Sequence, residues 1–271
     1  MKKKNFVIGI WIVVMIGLLY GCGNKEKESK NDSSDLPVIT VGCDDYSPYS
    51  YADVDGNLTG IDVELAKEAF SRMGYAPKFV FINWEEKKEL LGKGEIDCIW
   101  SSFTMNDREE EYSWAGPYMK SRQVVAVNEK SDIQTLQDLE GKVMAVQSTT
   151  KPEEIIRSHD GTIPELRKVI SVQKRDLIFI LLSKGYVDAL AAHDVSVQQF
   201  MKETGLKFRI LKEPLQEVDL GVAFDKADTR GLNKQLTEVL SEMQKDGTTE
   251  KIIGKYLSDA DTYLEVEDDE E

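Results

Sequence analysis

Cysteine is scarce. Three in 271 residues are too few for a disulfide framework, so the fold must rest on an apolar core. At 41% hydrophobic content, a chain of this length can build one large domain or two small ones. Basic residues are in the minority, with 34 Lys and Arg against 49 Asp and Glu and a formal net charge of -15. That argues against nucleic acid, whose phosphates need basic surface, and suits a soluble protein kept dispersed near a surface. The N-terminal apolar run, Phe6 to Tyr20, is short for a membrane span. No cofactor, metal or catalytic residue is expected.

What is there centres on Asp97 to Arg108 (DCIWSSFTMNDR). Ile96 to Trp100 reads as a buried strand after the turn at Gly92 to Gly94. It runs into Ser101, Ser102 and Thr104, and Asn106 or Asp107 is placed to cap a helix beginning at Arg108. Hydroxyls, free helix amides and a guanidinium together make an anion pocket. The same letters also describe a polar strand-to-helix loop with a solvated Arg.

With Trp114 to Tyr118 (WAGPY) downstream, the stretch resembles family 3 of the extracellular solute-binding proteins, the amino-acid receptors of ABC importers. Members carry a strand ending Asp-Ala-Ile, a Ser/Thr-rich loop, an Arg, and a Pro-Tyr about ten residues later. Here the loop from Thr104 to Arg108 is one residue shorter than that pattern.

Other motifs follow in order. Lys2 to Lys4, the apolar run and Leu19 to Cys22 (LYGC) read as a lipoprotein signal over 1–21 with acylation at Cys22; an uncleaved anchor is the alternative. Residues 22–35 are charged, Ser-rich and without a hydrophobic cluster, a flexible tether. Val38 to Gly42 is a first strand. Asp44, Tyr46, Pro48 and Tyr49 resemble the family's ligand mouth, again one residue short. Asp44 either meets a ligand side chain or pins its loop by an Asx-type turn. Asp55-Gly56 marks a hairpin, and residues 61–70 an amphipathic helix, with Ile61 where the family has an aromatic. Phe79 to Ile82 is a strand and Trp84 to Leu91 a helix. Gln147 to Thr150 resembles a second strand-end motif, Thr150 and Glu153 having capping-box spacing. Asp188 to Asp194 echoes the first-lobe strand. The family places there an Asp that binds the ligand ammonium; Asp194 is the candidate, one position late, and His193 its neighbour.

The resemblance implies an α/β, two-lobed periplasmic-binding-protein-like fold. Each lobe would be a mostly parallel sheet flanked by helices, and two hinge strands would join them. Residues 36–121 with 220–257 would form one lobe, 122–219 the other, and 258–271 an acidic tail. Ligand contacts are expected from Asp44, Tyr46, Ser101, Ser102, Thr104, Arg108, Thr149, Thr150 and Asp194. The implied function is capture of a free amino acid and its delivery to an ABC permease. The chain would be a monomer, lipid-anchored on the outer face of the cytoplasmic membrane. A dehydratase on the same fold, or a sensor without transport, are the alternatives; which amino acid binds is left open. Cys43 and Cys98 lie on adjacent strands and are either paired or buried free thiols.

Overall fold

The computed structural model describes residues 36–264. The expected signal, the tether and Cys22 therefore lie outside the described residues, as do residues 265–271. Among the described residues no helix is long and apolar enough to cross a membrane.

The first strands are short apolar runs that order themselves around one parallel core. β1 (Val38–Cys43) lies between β4 (Ala76–Phe81) and β5 (Cys98–Thr104), parallel to both. The small hairpin β2 (Tyr51–Ala52) and β3 (Leu58–Thr59) precedes α1 (Ile61–Arg72). Leu65, Ala66, Ala69 and Phe70 of α1 pack on Val41, Cys98 and Trp100. The far face of this sheet carries Trp84, Leu91, Ile99 and Phe103. The second lobe repeats the arrangement: β7 (Val143–Gln147) lies parallel to β8 (Lys168–Val172) and β9 (Ala189–His193). α3 (Lys151–Ser158), α4 (Asp176–Ser183) and α5 (Asp194–Thr204) surround it.

Two long strands join the lobes. β6 (Ser113–Asn128) runs 16 residues and β11 (Gln216–Phe224) pairs antiparallel to its first part, with Gln123 opposite Gln216 and Ser113 opposite Phe224. Beyond that point β6 continues against β9 and the short β10 (Phe208–Ile210). Alternation along β6 sends Val125 and Val127 into one core layer and Val124 and Ala126 into the other. α6 (Leu232–Lys245) and α7 (Thr248–Ile253) then return to α1.

Some local expectations change. No helix starts at Arg108. Asp107 sits at φ +62°, Arg108 N donates to Met105 O and Glu111 N to Arg108 O, so residues 105–112 are consecutive turns leading straight into β6. The expected helix at 84–91 begins as a 3-10 turn, Trp84–Glu86, and continues as α2 (Lys87–Gly92). Within the stretch expected as an acidic tail, Ala260–Tyr263 form a 3-10 turn, and Ala260 is buried in the first-lobe core. Cys43 and Cys98 are free, buried thiols.

Candidate functional site

Strand ends from both lobes converge on one junction, as expected where parallel strands finish at their carboxyl ends. From the first lobe come Asp44 to Tyr49 after β1, Trp84 and Lys87, and Ser101 to Arg108 around the end of β5. The second lobe supplies Gln147 to Thr150, Arg175 and His193. Gln123 and Ser121 rise from β6 between them.

The lobes touch throughout this region. Asp44 Oδ2 accepts from Gln147 Nε2 at 2.8 Å and Arg175 Nη2 at 3.3 Å, while Oδ1 accepts Asp45 N at 3.0 Å. Asp44 thus holds the amide of the next residue with one oxygen and two side chains of the other lobe with the second. Tyr46 lies under the Arg175 guanidinium, 3.5 Å from its ring centre, and its hydroxyl accepts His193 N at 3.2 Å. Arg108 Nη2 bonds Glu154 at 2.8 Å, and Lys151 reaches Asp107 at 2.7 Å.

The two strand-end loops are conformationally special. Ser102 stands at φ +43° and Thr149 at φ +56°, a region that non-glycine residues seldom adopt and that costs on the order of 1–3 kcal/mol. Ser102 N is held at 2.5 Å by Asp62 Oδ2, whose other oxygen accepts Tyr118 OH at 2.8 Å. Glu153 does the same for Thr149 N at 2.6 Å. The capping box expected at Thr150 is therefore shifted: the carboxylate serves Thr149, and Thr150 Oγ1 donates to Gln147 O at 2.6 Å. Ser101 is absorbed into the loop, accepting Asp44 N and bonding Ser50. Thr104 Oγ1 faces Gln123 Nε2 at 3.4 Å.

Ser101, Ser102, Thr104, Arg108, Thr149, Thr150, Asp44 and Tyr46 are thus gathered at the junction. Asp194 is not among them. Its Oδ2 takes both Arg122 Nε and Nη2, and its Oδ1 accepts Val195 N at the start of its own helix. It lines a separate hollow of about 650 Å³ with Lys120, Arg122 and Tyr263. β9 ends one residue earlier, so His193 takes the inward place. His193 Nδ1 meets Ser121 Oγ at 2.8 Å, its Nε2 meets Gln123 Nε2 at 3.0 Å, and Tyr46 and Tyr49 flank the ring. Both ring nitrogens are thus engaged, one by Ser121 and the other by Gln123.

Burial sets the charges. His193 is pushed down to about 3, by burial first and then by Arg175. Asp62 is raised to about 7 by burial, against its hydrogen bonds from Ser102 and Tyr118. Lys87 is pushed down to about 7, by burial first and the Arg108 guanidinium second. Cys43 is pushed up to about 12, chiefly by burial, which makes it a poor nucleophile.

Several buried polar atoms here lack a hydrogen-bond partner: Ser102 Oγ, Gln123 Oε1, Gln147 Oε1, Trp84 Nε1 and Arg175 Nε. Each such group is costly unless something meets it. Two of these residues, Trp84 and Arg175, line a cavity of about 500 Å³ between the lobes, together with Asp44, Asp45 and Gln173. That volume suits a small polar molecule. Among the described residues no group of His, Cys, Asp or Glu can hold a metal. The arrangement offers reversible binding.

Sequence reasoning passed over Lys87, Gln123, Gln147 and Arg175. Lys87 had a signal: it falls three residues after Trp84 and four before Leu91, on the buried face of its helix.

Residues 39–259 match the family model described as bacterial extracellular solute-binding proteins, family 3. The probable amino-acid-binding protein YxeM of Bacillus subtilis is 27% identical over 96% of this chain and 97% of its own length. The histidine-binding periplasmic protein of Escherichia coli K12 is 30% identical over 83% of this chain and 89% of its own. Among solved structures, an ABC uptake transporter substrate-binding protein from Streptococcus pneumoniae with bound histidine superposes with a TM-score of 0.77 at 26% identity. That match covers 82% of this chain and 92% of the other.

Proposed function

Since the chain belongs to family 3 of the bacterial extracellular solute-binding proteins, we propose that it captures a free amino acid between its lobes and hands it to an ABC permease. The observation that carries this reading is an interlobe cavity lined by Trp84 and Arg175, both with unpartnered buried nitrogens, with further unpartnered polar atoms on Ser102, Gln123 and Gln147 at the same junction. In this reading Arg108, Ser101, Ser102, Thr104, Thr149 and Thr150 hold the carboxylate side, and Asp44 and Tyr46 the side chain. The ammonium goes to the β9 end, where His193 and Gln123 face inward and Asp194 stands one residue behind. The lobes are 36–121 with 220–257, and 122–219. A lipid on Cys22 keeps the receptor at the outer face of the cytoplasmic membrane beside its permease, as a monomer. A ligand that touches both lobes only when they are shut draws the population toward the closed form.

The relatives are named as binding proteins, which favours binding over turnover. Calorimetry of the protein against the common amino acids tests the reading; saturable heat with one or a few is expected, and none with any would remove it. Arg108→Ala should weaken binding by roughly 2 kcal/mol or more, the loss typical of a desolvated charge-assisted contact. Unchanged affinity would show that Arg108 is not the clamp.

A further inference from the structure

Lys87 is only 7% exposed, yet among the described residues no carboxylate lies within ion-pair distance of it. Its ammonium donates to three uncharged oxygens: Trp84 O at 3.2 Å in its own lobe, and Thr149 O at 3.1 Å and Oγ1 at 2.9 Å in the other. It rests 4.9 Å from the Trp84 ring and 6.0 Å from the Phe103 ring, and the Arg108 guanidinium lies 5.2 Å from that same Phe103 ring. Two cations therefore share one aromatic side chain, and only Arg108 has an acid, Glu154. A buried ammonium held by neutral acceptors alone is poorly compensated. It sits against Trp84, which lines the interlobe cavity, and against Thr149, one of the two strained loop residues.

We infer that Lys87 is a carboxylate-binding residue of this receptor, which receives the ligand's α-carboxylate together with Arg108. The inference rests on the amino-acid reading above and deepens it. The shortened loop before Arg108 ends in turns, and its guanidinium is tied to Glu154; Lys87 supplies the cation that has no acid of its own. Neutral contacts to Thr149 bring the second lobe's loop to the same point, so the carboxylate is gripped as the lobes meet.

A proton accompanies this event. The charged groups nearest Lys87 are Arg108 and Glu111 from the loop after β5, Asp44 from the end of β1 and Arg175 from the second lobe; Glu85 in its own turn is engaged by Ser148. With burial and the two guanidinium groups prevailing, the form with the lobes together and no ligand binds its Lys87 proton weakly above neutrality. An arriving carboxylate raises that affinity, so binding takes up a proton.

The test is titration calorimetry of wild type and Lys87→Met at about pH 8, in phosphate and in Tris, with the common L-amino acids and the α-carboxamide of the tightest binder. Wild type should take up close to one proton per amino acid bound and bind the carboxamide much more weakly. Lys87→Met should lose the proton uptake and narrow the preference for carboxylate over carboxamide by about tenfold or more, as loss of a charge-assisted contact demands. Equal weakening toward both ligands would make Lys87 a structural brace and overturn the inference, as would an unchanged preference. If wild type binds no amino acid at all, the functional reading falls first and takes this inference with it.

Discussion

Asp62 and His193 are both enclosed at the lobe junction, and burial moves them in opposite directions. Asp62 is raised to about 7, so the folded state holds its proton over a range in which the unfolded chain has released it. Its contribution is fully present below about pH 4 and is lost as pH rises toward 7. His193 is lowered to about 3. Its contribution is present above about pH 6.5 and is lost as pH falls toward 3. Between about pH 4 and 6.5 the two slopes oppose one another, each by up to about 1.4 kcal/mol per pH unit. Asp62→Asn should therefore make stability climb steeply with pH across that window, and His193→Gln should make it decline. Urea midpoints at several pH values check both, and parallel profiles for wild type and the variants would refute the assignment. The same pair shows what residue-level reading can and cannot see. The acid of Asp194 drew attention because an ammonium wants one, but a side chain beginning a helix is drawn to that helix's own free amides. Which residue of His193-Asp194 ends the strand is decided by β9 pairing with β6, Gln123 opposite His193, and that register is a long-range fact. Lys87 was legible as a periodicity violation; its acceptor on Thr149 was not, because that residue lies 62 positions away.

Elements were read well wherever a short apolar run had a turn on each side. β1, β5, β7 and β9 all appear where hydrophobic residues run into hydroxyls or polar residues. The failure at 105–112 has a local cause: Asp107 is left-handed, and the segment must carry the chain back from Thr104, opposite Leu220, to Ser113, opposite Phe224, so that β6 can run along the other side of β11. Helix α1 depends on one such backbone requirement. Gly60 precedes it at φ +124° and ψ 170°, and a Cβ there would lie 2.3 Å from Tyr49 O. Gly60→Ala should cost about 3 kcal/mol or more, since both strain and a backbone clash arise. Denaturant unfolding would show it; a midpoint near wild type would mean the Pro48–Tyr49 loop yields freely. A gentler contrast is Gly56→Ala, where φ is +82° but nothing lies within 4 Å of the added carbon. Strain alone applies there, and a loss of about 1 kcal/mol is expected.

At the scale of the whole molecule, charge pairs bridge the lobes: Arg108 to Glu154, Lys151 to Asp107 and Arg175 to Asp44. Glu154 and Asp107 are substantially exposed, so salt should weaken these contacts and favour the open form. Small-angle scattering at low and high ionic strength, with and without bound amino acid, checks this. The radius of gyration should fall on ligand addition, by on the order of 1 Å for a hinge closure, and ligand should matter most at high salt. A radius insensitive to both would argue against lobe motion.

The order of pairing in the central sheet also bears on how the chain is made. β5 has β1 on one side and β11 on the other, yet more than a hundred residues separate β5 from β11 in sequence, and the whole second lobe intervenes. Until Phe224 has emerged from the ribosome, the flank of β5 that β11 will cover stays bare, a row of amides and carbonyls able to pair with any neighbouring strand. The second lobe's parallel trio is complete by His193. The lobe that begins first is therefore the one that finishes last, and a nascent chain needs shielding at that flank until β11 arrives.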